Sequence, residues 1–236
     1  TDLVDRLDLS KIQFVLKAKE DIYSPVDGTL MFAKDEKITT ENSGAVVNTG
    51  TEIEKGIYAL SKDGQLDISN LPMGTGEAKY YFEEVKTLDG CVLDETKHAF
   101  TFKQKDFTTK NYSKELNVEN KTTHFEFNKT DVTGDKEVVG AQLTITDEKG
   151  NVIDQWVSTE KPHSIEGLVV GKTYTLSETV TAKDYVKASN IRFTVKNSSE
   201  LETVTMKDKQ VSFTKTDVTG EKEVEGATIT VKEKET

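Results

Sequence analysis

The chain has 236 residues, a net charge of −11 and one cysteine, Cys91. That length holds one large domain or two small ones, and the charge lacks the basic footprint of a nucleic-acid binder. A single cysteine rules out a disulfide within the chain and a cysteine-ligated zinc site.

No apolar run approaches the roughly 18 residues that a membrane-spanning helix needs. The opening Thr1-Asp2-Leu3-Val4-Asp5 is not a signal peptide, and no sorting tail closes the sequence. Thr and Val are abundant, apolar runs are short, and Gly or Asp-Gly turns recur, which predicts an all-β sandwich or barrel.

Residues 1–122 read as a first unit. Ile12, Phe14 and Leu16 alternate in a strand, and Asp27-Gly28 turns the chain into Leu30-Met31-Phe32-Ala33. Residues 34–56 are polar and read as a long loop or a poorly formed hairpin. Gly64 turns into Leu66-Asp67-Ile68. Strands are expected at 80–85, 99–103 and 116–120, with a turn at Asp89-Gly90.

Residues 123–210 read as a second unit with strands at 124–129, 141–147, 151–157, 163–166, 173–180, 190–195 and 202–208. Seven short strands in a stretch of this size suit a small two-sheet sandwich. Residues 211–236 read as the truncated start of a third repeat, ending after about two strands. Residues 127–146 and 213–232 match at 13 of 20 positions.

Side chains alternate across a strand with a period of two. Phe125, Phe127 and Lys129 therefore share a face, and two phenylalanines mark it as a core face. Val211, Phe213 and Lys215 repeat the arrangement. Burying an ammonium is costly unless it is paired, neutralised or consumed. The same alternation places Tyr174, Leu176 and Glu178 on one face, and Val204, Met206 and Asp208 on another. Two readings of Lys129 stand side by side: a strand-end lysine that keeps its charge in water, or an amine meeting Asp208 and Glu178 in the core.

In the second reading, desolvation favours a neutral amine and a neutral acid. Glu178 then carries the proton while Lys129 and Asp208 condense to an amide. Contact between the groups supplies the effective concentration that the reaction lacks in water.

The second unit resembles the B-type collagen-adhesin (CnaB, SpaA-type, prealbumin-like) domains of Gram-positive pilins and surface adhesins. The matching residues are Lys129-Thr130-Asp131 with Gly140-Ala141, Trp156, and Gly171-Lys172-Thr173-Tyr174-Thr175-Leu176-Ser177-Glu178-Thr179. Ile191-Arg192-Phe193-Thr194-Val195 and Val204-Thr205-Met206-Lys207-Asp208 complete them. The resemblance implies tandem Greek-key, prealbumin-like sandwiches whose first and last strands are neighbours. It also implies an isopeptide bond between Lys129 and Asp208, with Glu178 as the catalytic residue.

The first unit is similar but divergent. Glu84 takes the glutamate position and Asn120 the acceptor position. Lys11-Ile12 occupy the Gly-Ala place, so the matching lysine falls just before Thr1. Glu84 and Asn120 are expected to form an unused pair, and Lys215 to be stranded.

The expected function is that of a structural stalk module of a cell-wall-anchored pilin or adhesin, on the surface of a Gram-positive bacterium. Its partners would be neighbouring repeats of the same chain. The alternative is an adhesive module that binds a host matrix protein or glycan through residues 34–56. Cys91 reads as a small buried hydrophobe, Trp156 as core, and Asp131, Asp135, Asp147 and Glu148 as turn residues. His98, His124 and His163 lie far apart. No cofactor or metal is expected, no turnover enzyme, no nucleic-acid partner and no membrane insertion.

Overall fold

A computed structural model describes residues 8–103, 112–212 and 215–230. Contacts divide the chain into two compact units. One takes residues up to Phe125 with Ile165–Lys172 and Thr194–Glu202. The other takes Glu126–Ser164, Thr173–Phe193 and the residues from Thr203 onward.

In the first unit the strands are β1 (Gln13–Ala18), β2 (Ile22–Tyr23), β3 (Leu30–Phe32), β4 (Val46–Thr49), β5 (Thr51–Glu54), β6 (Ile57–Ala59), β7 (Asp67–Ser69), β8 (Glu77–Lys86) and β9 (His98–Lys103). One sheet runs in the order β5-β6-β1-β8-β9, and β2-β3 and β4-β7 form two small ribbons. Leu16, Ile22, Phe32, Ile38, Tyr58 and Tyr80 are fully buried between them. Buried tyrosines need a partner for the hydroxyl. Tyr58 donates to Ile38 O at 2.9 Å and Tyr80 to Pro72 O.

Two expectations for this unit need correction. Residues 34–56 are neither a long loop nor a hairpin: they hold a one-turn helix, α1 (Thr40–Ser43), followed by β4 and β5, which pair with β7 and β6 and not with each other. Local bonds fix the helix. Thr39 caps its start, Asn42 returns the bond in a capping box, and Gly44 ends it at φ 71°. The second correction concerns residues 116–120, which form no strand; Leu116 is exposed, and Val118 and Asn120 are half-buried. A strand needs backbone hydrogen bonds to a neighbour, and among the described residues this segment joins no sheet.

The second unit holds β10 (His124–Asp131), β11 (Gln142–Thr146), β12 (Val152–Val157), β13 (His163–Glu166), β14 (Thr173–Val180), β15 (Tyr185–Val186), β16 (Ile191–Thr194) and β17 (Leu201–Gln210). They form two four-stranded sheets, β13-β10-β17-β15 and β12-β11-β14-β16. β10 and β17 are hydrogen-bonded neighbours, as the family resemblance implies. Seven of these strands fall where alternation puts them, within two residues. β15 is an eighth, too short to carry a period.

The inner faces bury Phe127, Leu143, Ile145, Leu176 and Met206. Trp156 is only half-buried and stacks on His163 at 4.1 Å, so it edges the core rather than sitting inside it.

The third-repeat segment also departs from expectation. Among its described residues there is no strand, only an isolated bridge between Thr216 and Glu223. Val218, Val224 and Ile229 are exposed. Phe213 lies outside the described residues, as do Thr1 and Asp2.

Candidate functional site

Lys129 is the sixth residue of β10, in phase with buried Phe125 and Phe127. Its backbone is held on both sides by the turn that follows. Glu137 Oε2 accepts from Lys129 N–H at 3.0 Å, and Val138 N–H donates to Lys129 O at 2.6 Å. The turn is fixed by Asp131, whose Oδ1 accepts from the N–H groups of Thr133 and Gly134 at 3.0 Å each. Gly134 supplies the positive φ of 86°. Ser158 ties the far end, accepting from Ala141 N–H and donating to Val138 O. Lys129 is only 1% exposed.

Glu178 lies on β14 in phase with buried Tyr174 and Leu176, and Leu143 of β11 faces it in register. Asp208 lies on β17 in phase with Met206. Glu178 is 1% and Asp208 0% exposed, so all three ionisable side chains are shut away from water. Lys129 Nζ donates to Asp208 Oδ1 in a short contact. Glu178 Oε1 stands 3.4 Å from the same nitrogen, an ion-pair distance without hydrogen-bond alignment. The other Glu178 oxygen accepts from Ala188 N–H at 2.7 Å. Asp208 Oδ2 has no hydrogen-bond partner among the described residues.

Burial pushes the Asp208 carboxyl above its ordinary 3.8; the Lys129 amine pulls it back, and Glu178 pushes it up again. A raised carboxyl pKa favours the protonated acid, the form from which an amide can be made. An orphaned buried oxygen is costly to keep, and Asp208 Oδ2 is the atom that condensation could discharge as water. Glu178 touches the amine and is held from behind by a backbone donor, the position a proton carrier needs.

The first unit carries a related but different arrangement. Glu84 is 2% exposed on β8, and Phe14 of β1 faces it as Leu143 faces Glu178. Its Oε2 accepts from Asp94 N–H at 2.7 Å, ten residues along, the same separation as Glu178 to Ala188. Its Oε1 accepts from Asn120 Nδ2 at 2.8 Å, and Asn120 also donates to Thr87 Oγ1 at 2.7 Å. No cation among the described residues pairs with Glu84. Lys215 is exposed and donates to Thr216 O at 2.8 Å.

Sequence reasoning missed Glu137 and the Ala188 and Asp94 backbone donors. Glu137 left a readable trace, because the third-repeat segment repeats it as Glu223 and the Thr130–Glu137 bridge recurs as Thr216–Glu223. The backbone donors left none, since any non-proline residue supplies an N–H. Among the described residues, no group of three His, Cys, Asp or Glu side chains is placed to hold a metal. No helix among them is long and apolar enough to cross a membrane.

The family model described as a SpaA prealbumin-like fold domain matches residues 1–116 and 123–210. No curated protein matches the chain. Among solved structures, the Bacillus anthracis TIE protein is 21% identical with a TM-score of 0.44, over 87% of this chain and 32% of that one. This chain thus spans about a third of that protein. The C-terminal fragment of the pilus adhesin SpaC from Lactobacillus rhamnosus GG is 16% identical, with a TM-score of 0.44, over 90% of this chain and 94% of that one. The shaft pilin SpaA from the same organism is 16% identical, with a TM-score of 0.33, over 86% and 88%.

Proposed function

The chain belongs to the SpaA family of prealbumin-like fold domains, and from that premise we propose that it is a structural stalk module of a Gram-positive surface pilin or adhesin. In this reading its second unit is closed by an amide bond between Lys129 and Asp208. The observation that carries the reading is the water-free contact of one amine with two carboxyls, contributed by three different strands.

The chemistry is a condensation. The unprotonated Lys129 amine attacks the carboxyl carbon of protonated Asp208. Glu178 takes a proton from the amine nitrogen and returns it to the departing oxygen, which leaves as water. Nothing is oxidised, and no outside reactant is consumed. The bond forms once, so the chain is its own product and not a turnover enzyme.

The mechanical consequence follows from strand order. β10 and β17 are the first and last long strands of the unit and lie side by side. A covalent link between them carries a pulling force before it reaches the hydrogen-bond ladders. It closes a loop spanning 79 residues, and by analogy with a disulfide this removes about 4–5 kcal/mol of unfolded-state entropy. A surface protein exposed to proteases gains from such a link without needing cysteines. Intact-mass measurement tests the reading: one water should be missing from the folded chain, and a chain of full mass would contradict it.

A second reading rests on residues 34–56, which fold into α1, β4 and β5 and leave Val46 and Ile53 exposed. That surface would dock a host matrix protein or glycan. Solid-phase binding with and without the segment decides; no binding by either form removes this reading.

A further inference from the structure

The second unit holds a small buried cluster of Val138, Ala141 and Ala182, with half-buried Tyr185 packed against it. Lys129 is tied to this cluster through the turn that follows β10. Val138 N–H donates to Lys129 O at 2.6 Å, and the neighbouring Glu137 carboxylate accepts from Lys129 N–H at 3.0 Å. One dipeptide therefore holds both main-chain polar groups of the lysine. Ser158 fixes that dipeptide to Ala141: its hydroxyl donates to Val138 O at 2.7 Å and accepts from Ala141 N–H at 2.9 Å.

Glu178 and Asp208 are tied to the same cluster through residues 182–188. Ala182, a member of the cluster, lies four residues beyond Glu178. Asp184 takes a left-handed φ of 69°, uncommon for a residue other than glycine. Tyr185 N–H closes this turn on Ala182 O at 3.2 Å. β15 then runs beside β17, where Tyr185 pairs with Gln210, two residues past Asp208. Val211 N–H adds a bond to Asp184 O at 2.8 Å. The segment ends at Ala188, whose N–H holds Glu178 Oε2.

We propose that this cluster is the positioning device of the bond-forming site, setting the Lys129 amine, the Asp208 carboxyl and Glu178 against one another, with Glu137 and Tyr185 as its positioning residues. This role presupposes the Lys129–Asp208 amide proposed above. A lysine amine hangs on a flexible four-carbon stem, so it is placed no better than the backbone that carries it. Condensation depends on contact between the groups, and a shift on the order of 1 Å costs about a hundredfold in rate. Glu137 acts as a hydrogen-bond acceptor and not as a charge, because its partner is a main-chain N–H. Tyr185 acts through its ring, which packs on the cluster while its backbone pairs with β17.

The test is a mass time course of water loss from the full chain after refolding. Rates are read where a Glu178→Ala counterpart of each variant, which cannot close the bond, is fully folded by circular dichroism. Slowing then reports geometry and not unfolding. Glu137→Ala should slow the loss of water by about tenfold or more, and Glu137→Gln, which keeps a side-chain oxygen acceptor, should recover to within about twofold of the unaltered rate. Tyr185→Ala should slow it by a similar factor, and Tyr185→Phe, which keeps the ring, should not. All four should reach the same final mass, since no reacting group is removed.

An unchanged rate in either alanine variant overturns the proposal. A conservative variant as slow as its alanine counterpart does the same, for it would assign the effect to the Glu137 charge or the Tyr185 hydroxyl. If Tyr185→Ala does not fold, the Glu137 pair decides alone. An unaltered chain that never loses water contradicts the Lys129–Asp208 amide itself and takes this role with it. An unaltered chain that loses water while the alanine variants keep pace contradicts the positioning role only.

Discussion

The backbone N–H of Ala188 donates to Glu178 Oε2 at 2.7 Å, from ten residues along the chain, and so fixes the carboxylate that stands beside Lys129. In the first unit Asp94 does the same for Glu84. The donor holds one oxygen and leaves the other facing the amine. Ala188→Pro removes that N–H. The chain should still fold, but the loss of water should slow by at least about tenfold, the rate equivalent of ~1.4 kcal/mol of lost positioning. A mass time course after refolding reads this; an unchanged rate would show that Glu178 does not depend on the bond.

Loss of the cross-link should cost stability. Asp208→Ala and Glu178→Ala each leave the 79-residue loop open. The unfolding midpoint of the second unit should drop by about 20 °C or more, from ~4–5 kcal/mol of loop entropy and the steep temperature response of a domain this small. Calorimetry measures it. A shift of only a few degrees, with the bond shown to be absent, would remove the stabilising role.

The pH dependence of stability should differ with and without the bond. In Lys129→Met no amide can form, and Asp208 loses the amine that pulls its carboxyl down while burial still raises it. A folded-state pKa above the unfolded value gives stability that is fully present below the unfolded pKa and is lost as pH rises through the folded pKa. Lys129→Met should therefore become less stable as pH climbs from the ordinary aspartate value of 3.8 toward neutrality. The unaltered chain, with Asp208 locked in an amide, should lack this component. Denaturant titrations across that range compare the two.

Packing around the site should matter as well as its ionisable groups. Leu143 is fully buried and faces Glu178 across the β11–β14 pair. Leu143→Ala should cost about 2–5 kcal/mol through the lost contacts and the cavity left behind. Admitting water beside Glu178 should also slow bond formation. Denaturant unfolding and the mass time course measure the two effects separately.

Much of this arrangement was readable because β-strands have a strict period. Phe125, Phe127 and Lys129 share a face by counting in twos, as do Tyr174, Leu176 and Glu178, and the structure buries all six. What periodicity could not reach is structure made by single local bonds. The helix in residues 34–56 exists through Thr39, Asn42 and Gly44 rather than through any apolar pattern. β15 has two residues and no pattern to find. Residues 116–120 carry the alternation of a strand but join no sheet among the described residues, because alternation describes one strand and a sheet needs two. Glu137 acts through its reach to the Lys129 backbone, a contact that only the fold of the turn creates.

Everything proposed for the second unit requires that the buried amine and acid have condensed. Intact-mass spectrometry of the folded chain, with Glu178→Ala alongside, measures this directly. The prediction is a chain lighter than its sequence by one water, a digest fragment joining Lys129 to Asp208, and full mass in Glu178→Ala. A folded, unaltered chain that keeps its full mass would contradict the account.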